Sequence, residues 1–251
     1  MYTDLEGKVV IVTGAGGGIG RETVKRFADN GSLVIATDVN EETGHETVEY
    51  AGKELVTFVA ADVSNADSMG RLVERTLELH GRLDIAHNNA GVELNGPHLA
   101  DVTPEQFDRI MAVNLSGVFL SMRAEIPAML NGSGGSIINT SSGLGVKGFA
   151  GQSSYVASKH GVLGLTKTAA LEYAAQDVRV NAVMPGVVRT PMVEAIEAEV
   201  PGFIDMVTAK HPMGRLATPG DIANAVLWLA SEQSAFVSGA AIAVDGALLA
   251  G

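Results

Sequence analysis

A tyrosine and a lysine lie four residues apart at Tyr155 and Lys159. The surrounding stretch, from about Gln152 to Tyr173, is predicted to be helical, which places both side chains on one helix face. A free phenol has a pKa of about 10, and a nearby ammonium is expected to bring that pKa toward the working range of a base. The pair could then exchange a proton with an alcohol or carbonyl oxygen. The same spacing is also common in helices with no chemical role.

A serine, Ser142, precedes Tyr155 by 13 residues and follows a predicted strand over 136–140. Ligands of open α/β sheets bind outside the carboxyl ends of the strands, so a hydroxyl here is expected to face the binding crevice and bond the substrate oxygen. Ser141 is the competing candidate, but its side chain is expected to point to the other side of an extended strand.

Short β-branched runs alternate with helix-length segments along the whole chain, which predicts βαβ units around a parallel sheet. The runs are almost continuously apolar, so helices are expected on both faces of the sheet. Thr103 and Thr218, each followed by proline, are predicted to cap helices. The strands are predicted at 8–12, 33–37, 55–60, 83–87, 136–140, 179–184 and 241–244.

A glycine-rich loop, 13–20, follows the first predicted strand and leads into a helix. Strand, glycine turn and helix N-terminus together favour a dinucleotide, because unpaired N–H groups and the helix dipole point at the same place. The loop fits the pattern Thr-Gly-x-x-x-Gly-x-Gly rather than a strict Gly-x-Gly-x-x-Gly. The alternative is a tight turn without a ligand.

The second strand ends at Asp38, 18 residues after Gly20, near the offset at which an acid binds the adenosine ribose. A 2′-phosphate brought within roughly 4 Å of this carboxylate would be repelled by a few kcal/mol, so NAD is preferred over NADP. The alternative is a solvated turn carboxylate. Asp62, which ends the third strand, could bond the adenine amine while Val63 packs on the ring.

These motifs together resemble the short-chain dehydrogenase/reductase family in its single-domain form. The resemblance spans nearly the whole chain and implies an α/β, Rossmann-like, doubly wound parallel sheet of seven strands in the order 3-2-1-4-5-6-7, usually assembled as a homotetramer. It is carried by the 13–20 loop, Asp62, the Asn88-Asn89-Ala90-Gly91 segment, Asn114, Ser142, Tyr155 with Lys159, Pro185-Gly186 and Thr190.

The resemblance implies a catalytic group of Ser142, Tyr155 and Lys159, with Asn114 interrupting its helix to hold a water that relays protons to Lys159. The alternatives are a helix-interior amide bonded to backbone for Asn114 and an N-cap for Thr190. The residues expected to bind the cofactor are Gly14, Gly17, Gly18, Ile19, Gly20, Asp38, Asp62, Val63, Asn89, Ala90, Gly91, Tyr155, Lys159, Pro185, Gly186, Val188 and Thr190.

The long segment 187–217 is a candidate lid, or else an ordinary short helix pair. Its apolar side chains and those after Ser142 suggest a mostly apolar pocket. This favours an NAD-dependent dehydrogenase of small hydrophobic secondary alcohols or diols, cyclic or aromatic; the alternatives are a ketone or 3-oxoacyl reductase and a non-enzymatic dinucleotide sensor. The expected pocket residues are Leu94, Leu144, Phe149, Gln152, Met192, Ile196 and Met206.

Composition narrows the classes of function that the sequence allows. The 251 residues carry a net charge of −12, which disfavours nucleic-acid binding, and contain no cysteine. The histidines show no metal-ligand spacing, so no metal is expected, and His87 is interpreted as a strand residue. No membrane or export segment is expected, so we predict one cytoplasmic domain over 1–251. The apolar C-terminus, 248–251, is expected at a subunit interface or against its own core.

Overall fold

A computed structural model describes residues 2–93 and 96–251. Its centre is a parallel sheet of seven strands in the order β3-β2-β1-β4-β5-β6-β7, which confirms the predicted topology. The strands are β1 Val9–Thr13, β2 Leu33–Thr37, β3 Val56–Phe58, β4 Ile85–Asn88, β5 Gly135–Thr140, β6 Val178–Pro185 and β7 Ala241–Val244.

Helices cover both faces of this sheet. They are α1 Gly18–Asp29, α2 Glu41–Ala51, α3 Ala66–His80, α4 Pro104–Met111, α5 Gly117–Leu130, α6 Ser153–Tyr173, α7 Pro191–Glu199, α8 Phe203–Thr208 and α9 Pro219–Ala230. Every residue of β1 is buried, and Ile11 packs into the cluster of α3, α5 and α6 whereas Val10 and Val12 pack into the cluster of α1 and α9. Alternate side chains of one strand therefore belong to two cores, as in a doubly wound sheet.

Helix starts follow the predicted capping chemistry. Thr103 and Thr218 each accept a hydrogen bond from the backbone N–H three residues on, and the side chains of Gln106 and Asp221 accept bonds back from the cap N–H groups. These capping boxes satisfy N–H groups that the first helical turn leaves unpaired.

The predicted strand over 55–60 is longer than β3. This strand is the sheet edge and pairs with β2 only from Val56 to Phe58. Without a second neighbour, the chain leaves the ladder soon after Phe58, and the strand ends there.

The segment 187–217 leaves the sheet at the carboxyl end of β6 and returns to the point where it began. Val188 and Ala217 form an isolated parallel bridge, so the two ends of the segment meet. Between them lie α7 and α8, in which Val207 is buried but Met206 is 51% exposed. The segment contains a short helix pair, but part of its apolar surface faces outward rather than occupying core positions, and its role as a lid stays a prediction.

Among the described residues, no helix combines the length and the apolar character needed to cross a bilayer.

Candidate active site

Tyr155 and Lys159 lie one turn apart in α6, where the sequence places them. Lys159 is buried, and its Nζ is 5.5 Å from the centroid of the Tyr155 ring. The same Nζ donates a 2.9 Å hydrogen bond to the carbonyl oxygen of Thr140, the last residue of β5. The carboxyl end of β5 therefore fixes the amine beneath the phenol.

Ser142 reaches Tyr155, and Ser141 does not. The Ser142 hydroxyl lies close enough to the Tyr155 side chain to lower its pKa, and it accepts a bond from the N–H of Leu144 at 3.1 Å. The buried Ser141 hydroxyl instead donates to the carbonyl oxygen of Lys159 at 2.9 Å. Of the two serines, only Ser142 stands where a substrate oxygen could meet the phenol.

Burial governs the proton affinities of this group. Burial raises the pKa of Tyr155 to about 12, helped by the negative charge of Glu93 and opposed by the hydrogen bond from Ser142. Burial lowers the pKa of Lys159 to about 8, and Glu93 acts in the opposite direction. The expected lowering of the phenol pKa by the lysine is therefore not present in the protein alone, where loss of solvation dominates.

Asn114 lies in a π-helical turn, Ala112–Ser116, that separates α4 from α5. Its amide oxygen accepts from the N–H of Val92 at 2.8 Å, and its Nδ2 donates to the carbonyl oxygen of Val92 at 2.8 Å. The helix is interrupted as the family pattern implies, and the amide also bonds backbone, although of another segment. Its part in a proton relay stays a prediction.

The loop between β1 and α1 has the features of a phosphate cradle. Gly14 has a φ of +64°, and a Cβ added there would lie 2.8 Å from the Cα of Ala90. A Cβ at Gly20 would collide with the carbonyl of Gly14. Helix α1 begins after Gly17 without a side-chain cap, so its first N–H groups are available to an anion. This arrangement fits a dinucleotide pyrophosphate.

Asn89 and Ala90 brace that loop from β4. The Asn89 Nδ2 donates to the carbonyl oxygen of Thr13 at 3.1 Å, and the N–H of Ala90 donates to the Thr13 hydroxyl at 3.0 Å. Gly91 continues the segment, and a Cβ at this position would lie 3.6 Å from Lys159 Nζ. The cradle and the catalytic amine are thus connected by three successive residues.

Asp38 lies against the glycine loop. Its Oδ2 accepts from the N–H of Gly16 at 2.8 Å, and its Oδ1 accepts from the N–H of Asn40 at 3.0 Å. A cation near Asp38 was not predicted from the sequence. Arg21 donates to the carbonyl oxygen of Gly16 at 2.7 Å. That guanidinium is paired with Glu46 at 2.9 Å, so its charge is balanced within the protein.

Asp62 does not end the third strand as expected, because β3 stops at Phe58, four residues earlier; Asp62 is exposed, and its Oδ1 accepts from the N–H and hydroxyl of Ser64. The expectation that Val63 packs on the adenine ring stays a prediction. Its side chain is buried, and a Cβ at Gly117 would lie 2.8 Å from its Cγ2. This side chain packs in the core beside α5.

The segment after β6 returns to the glycine loop. A Cβ at Gly18 would lie 3.1 Å from Cγ2 of Thr190, which occupies the N-cap position of α7 but makes no side-chain capping bond. Its hydroxyl is therefore not used by the helix. By contrast, Ile19 and Val188 pack into the core through their side chains.

Pro185 ends β6, and the N–H of Gly186 donates to the carbonyl oxygen of Val244 at 3.1 Å. His211, which sequence reasoning did not single out, is buried beside this turn. Its Nε2 accepts from the N–H of Val187 at 3.2 Å, and its Nδ1 donates to the carbonyl oxygen of Val207 at 2.8 Å. The imidazole therefore ties α8 to the turn after β6. Its separation of 24 residues from Val187 gives no signal in the sequence.

Two of the predicted pocket residues contact distant parts of the chain. The Lys210 Nζ lies 5.5 Å from the ring centroid of Phe149, and the buried Gln152 donates from Nε2 to Glu93 Oε1 at 2.9 Å. Leu144 and Ile196 are half-buried and Met206 is exposed. Leu94 and the side chain of Met192 lie outside the described residues.

His87 is fully buried in β4, and burial lowers its pKa to about 3. Its Nε2 lies 2.9 Å from the hydroxyl of Thr140, in keeping with a strand residue. Within 2–93 and 96–251, no three histidine, aspartate or glutamate side chains are grouped so that they could hold a metal ion.

The protein has the features of a dinucleotide-dependent oxidoreductase. These are a doubly wound sheet and, at the carboxyl ends of its strands, a glycine cradle beside an acid and a serine–tyrosine–lysine group. Comparison with known proteins agrees. A family model described as enoyl-(acyl carrier protein) reductase matches residues 14–248. The chain belongs to the short-chain dehydrogenase/reductase family, which uses nicotinamide cofactors.

Relatives of similar length act on different substrates. A 2,5-dichloro-2,5-cyclohexadiene-1,4-diol dehydrogenase of Sphingobium indicum is 41% identical over 99% of this chain and 99% of its own. A cyclohexanol dehydrogenase of Acinetobacter sp. is 39% identical over 98% and 97%. A 3-oxoacyl-[acyl-carrier-protein] reductase of Thermotoga maritima is also 39% identical, over 98% and 99%.

Solved structures show the same fold. The aldohexose dehydrogenase of Thermoplasma acidophilum superposes with a TM-score of 0.89 at 36% identity, covering 99% of this chain and 96% of that one. ElxO with NADP bound superposes with a TM-score of 0.92 at 29% identity, covering 98% and 100%.

Proposed function

We propose that this protein is an NAD-dependent dehydrogenase that oxidises the secondary hydroxyl of a small, largely apolar, cyclic alcohol or diol. The observation that carries the proposal is the placement of Lys159, which the carbonyl of Thr140 fixes one helical turn from Tyr155, with Ser142 close enough to the phenol to lower its pKa. These groups stand at the sheet edge that also carries the glycine cradle.

The chemistry divides between cofactor and protein. Bound oxidised nicotinamide supplies the hydride acceptor and a positive charge. Ser142 holds the substrate hydroxyl by a hydrogen bond, and Tyr155 as phenolate takes the hydroxyl proton while the carbinol C–H bond breaks. Lys159 and any positive charge near the phenol oxygen favour the phenolate, opposing the effect of burial. The products are a ketone, reduced cofactor and one proton.

Asp38 supports the preference for NAD. Its carboxylate is fixed beside the cradle by Gly16 and Asn40, where two ribose hydroxyls could donate to it. A 2′-phosphate at the same place would meet like charge, and the nearby Arg21 is paired with Glu46.

The expected apolar pocket residues and the cyclohexanol and cyclic-diol dehydrogenases among the relatives support the substrate class. A second candidate is a ketone or 3-oxoacyl reductase. One observation favours it, because Lys210 at the Phe149 ring is a cation that could meet an anionic carrier. Two cations of the 187–217 segment are paired within the protein, Arg215 with Asp221 at 2.7 Å and Arg189 with Glu194 at 3.4 Å.

Steady-state rates with NAD and NADP over cyclic alcohols, cyclic diols and 3-oxoacyl thioesters test the proposal. We expect efficient oxidation of the cyclic substrates with NAD. Efficient turnover of thioesters alone would refute it. Lys210→Met separates the two candidates. It should leave the oxidation of neutral alcohols nearly unchanged but raise the KM for an anionic thioester.

We also propose a cytoplasmic homotetramer. An apolar groove on the outer faces of α5 and α6 supports the assembly, where Phe119 is 48% exposed beside Leu115 and Leu165. At the C-terminus, Leu249 packs with Leu163 and Met184 of its own chain, so it serves the core.

A further inference from the structure

His211 is buried between three segments at the carboxyl edge of the sheet. It follows α8, it contacts the turn that leaves β6, and a Cβ at Gly246, after β7, would lie 3.8 Å from its own Cβ. Two residues on, the N–H of Met213 donates to the carbonyl oxygen of Gly246 at 3.3 Å. The backbone that carries the imidazole is therefore held against the end of β7.

The two nitrogens of this imidazole serve different segments. Nδ1 donates to the carbonyl oxygen of Val207 in α8, and Nε2 accepts from the N–H of Val187 in the turn after β6. A neutral imidazole has one donor and one acceptor, so these two bonds use both. His211 thus holds a backbone N–H at the start of the 187–217 segment from a position near the end of that segment.

The glycine at position 186 lets the imidazole reach this N–H. A Cβ at Gly186 would lie 2.8 Å from Nε2 of His211, closer than side chains approach in folded proteins. The carbonyl oxygen of Val187 is also bonded, since it accepts from the N–H of Ala217 at 3.0 Å. Both polar backbone groups of Val187 are therefore fixed, the N–H by the imidazole and the carbonyl by the end of the segment.

The sheet order places this turn beside the reacting half of a bound dinucleotide. Strand β6 is the neighbour of β5, whose carboxyl end positions Lys159, whereas Asp38, the expected ribose acceptor, follows β2 on the other side of β1. A dinucleotide that spans this edge has its nicotinamide near the turn after β6 and its adenosine near β2. Displacement of Val187 would disturb the nicotinamide half and leave the adenosine half in place.

We propose that His211 is a positioning residue for the nicotinamide half of the cofactor, which it serves by fixing the N–H of Val187 and thereby the turn after β6. The inference rests on the proposed dehydrogenase function and deepens it. It assigns the effect on the cofactor to the bond with Val187 and not to the bond with Val207. The glycine cradle and Asp38 bind the rest of the dinucleotide without help from His211.

The experiment removes the two bonds one at a time. The amide oxygen of glutamine is as many bonds from Cβ as Nε2 of histidine, so His211→Gln can still accept from Val187. The amide nitrogen of asparagine corresponds to Nδ1, so His211→Asn can donate to Val207 but is too short to reach Val187. His211→Leu removes both bonds.

Calorimetry gives the Kd of each variant for NAD and for ADP-ribose, which lacks only the nicotinamide. We expect the Kd for NAD to rise about 10-fold in His211→Asn and His211→Leu but less than about 3-fold in His211→Gln, because a buried N–H without an acceptor gains by moving. The Kd for ADP-ribose should stay the same in all three variants, which a general folding defect would not allow.

A second measurement needs no cofactor. Hydrogen–deuterium exchange, followed by mass spectrometry in peptides that contain Val187, should accelerate in His211→Asn and His211→Leu but not in His211→Gln. His160→Gln is the matched control, because Nδ1 of this exposed histidine lies 2.9 Å from the carbonyl oxygen of Val156, again four residues earlier. It should change neither the exchange near Val187 nor the Kd for NAD.

An unchanged Kd for NAD in His211→Asn, an equal loss of NAD and ADP-ribose binding, or a His211→Gln variant as weak as His211→Asn would overturn the inference. If His211→Leu fails to fold, the asparagine and glutamine variants still decide, since each keeps one bond. Failure of the proposed function looks different. In that case wild type itself oxidises no cyclic alcohol, whereas the comparison of NAD with ADP-ribose requires no turnover.

Discussion

The amine of Lys159 donates to the carbonyl oxygen of Thr140, so the end of β5 positions the lysine, and Ser142, two residues on, lies close enough to the Tyr155 phenol to lower its pKa. One strand end thus aligns both neighbours of Tyr155. Since β5 lies near the middle of the sheet between β4 and β6, this alignment rests on the rigid part of the fold.

Alcohol oxidation should accelerate as pH rises. Burial holds the pKa of Tyr155 well above neutrality, at about 12 in the protein alone, and the reaction needs the phenolate. The positive charge of oxidised nicotinamide should lower that pKa in the complex. We expect kcat for oxidation to increase from about pH 6 to about pH 10 and the reverse rate to decrease. A flat profile with chemistry rate-limiting would contradict the proton role.

Cofactor choice should respond to Asp38. Asp38→Asn keeps the size of the side chain but removes its charge, so the NAD-to-NADP ratio of kcat/KM should fall by about 10-fold or more. Adding Gly17→Arg should lower it further, because a Cβ at Gly17 meets no atom within 4 Å and the guanidinium could pair with a 2′-phosphate. An unchanged ratio in both variants would show that Asp38 is not the discriminator.

Glu125 on α5 should make stability pH-dependent. It is fully buried, and burial raises its pKa from 4.5 to about 7, against a hydrogen bond from Asn88. The folded state therefore binds more protons than the unfolded state between these values, and the stability that this group contributes below about pH 4.5 is lost as pH rises through about 7.

Glu125→Gln should remove this dependence. Relative to wild type, the variant should gain on the order of 3 kcal/mol of unfolding free energy between about pH 4.5 and pH 8, as measured by urea unfolding. The titration of buried His87 is common to both proteins and cancels. The exposed Glu78→Gln should show no comparable change, and an equal difference between Glu125→Gln and wild type at both pH values would refute the prediction.

Assembly should depend on the groove of α5 and α6. Phe119→Glu places a charge on this apolar surface, so light scattering should show a shift from tetramers to smaller species. Phe236→Glu, on a fully exposed phenylalanine outside the groove, is the control. Tetramers that persist in Phe119→Glu at low micromolar concentration would assign the interface elsewhere.

Periodicity and capping residues predicted the alternating elements, because burial on two faces and unpaired helix N–H groups are local constraints. The order of motifs likewise indicated Ser142, Tyr155 and Lys159. The burial of the Val63 side chain, the approach of Arg21 to Gly16 and the bond of Gln152 to Glu93 were not predictable from the sequence. Each depends on how separate elements pack, and the same packing reverses the expected pKa change of Tyr155.

The central claim is tested most directly by NADH formation from NAD and a cyclic alcohol or diol in wild type and Tyr155→Phe. The account predicts one NADH per ketone in wild type. In Tyr155→Phe, kcat should fall by about 100-fold or more although NAD still binds, as judged by calorimetry. Undiminished turnover in this variant, or a wild type that binds NAD and oxidises no alcohol, would contradict the account.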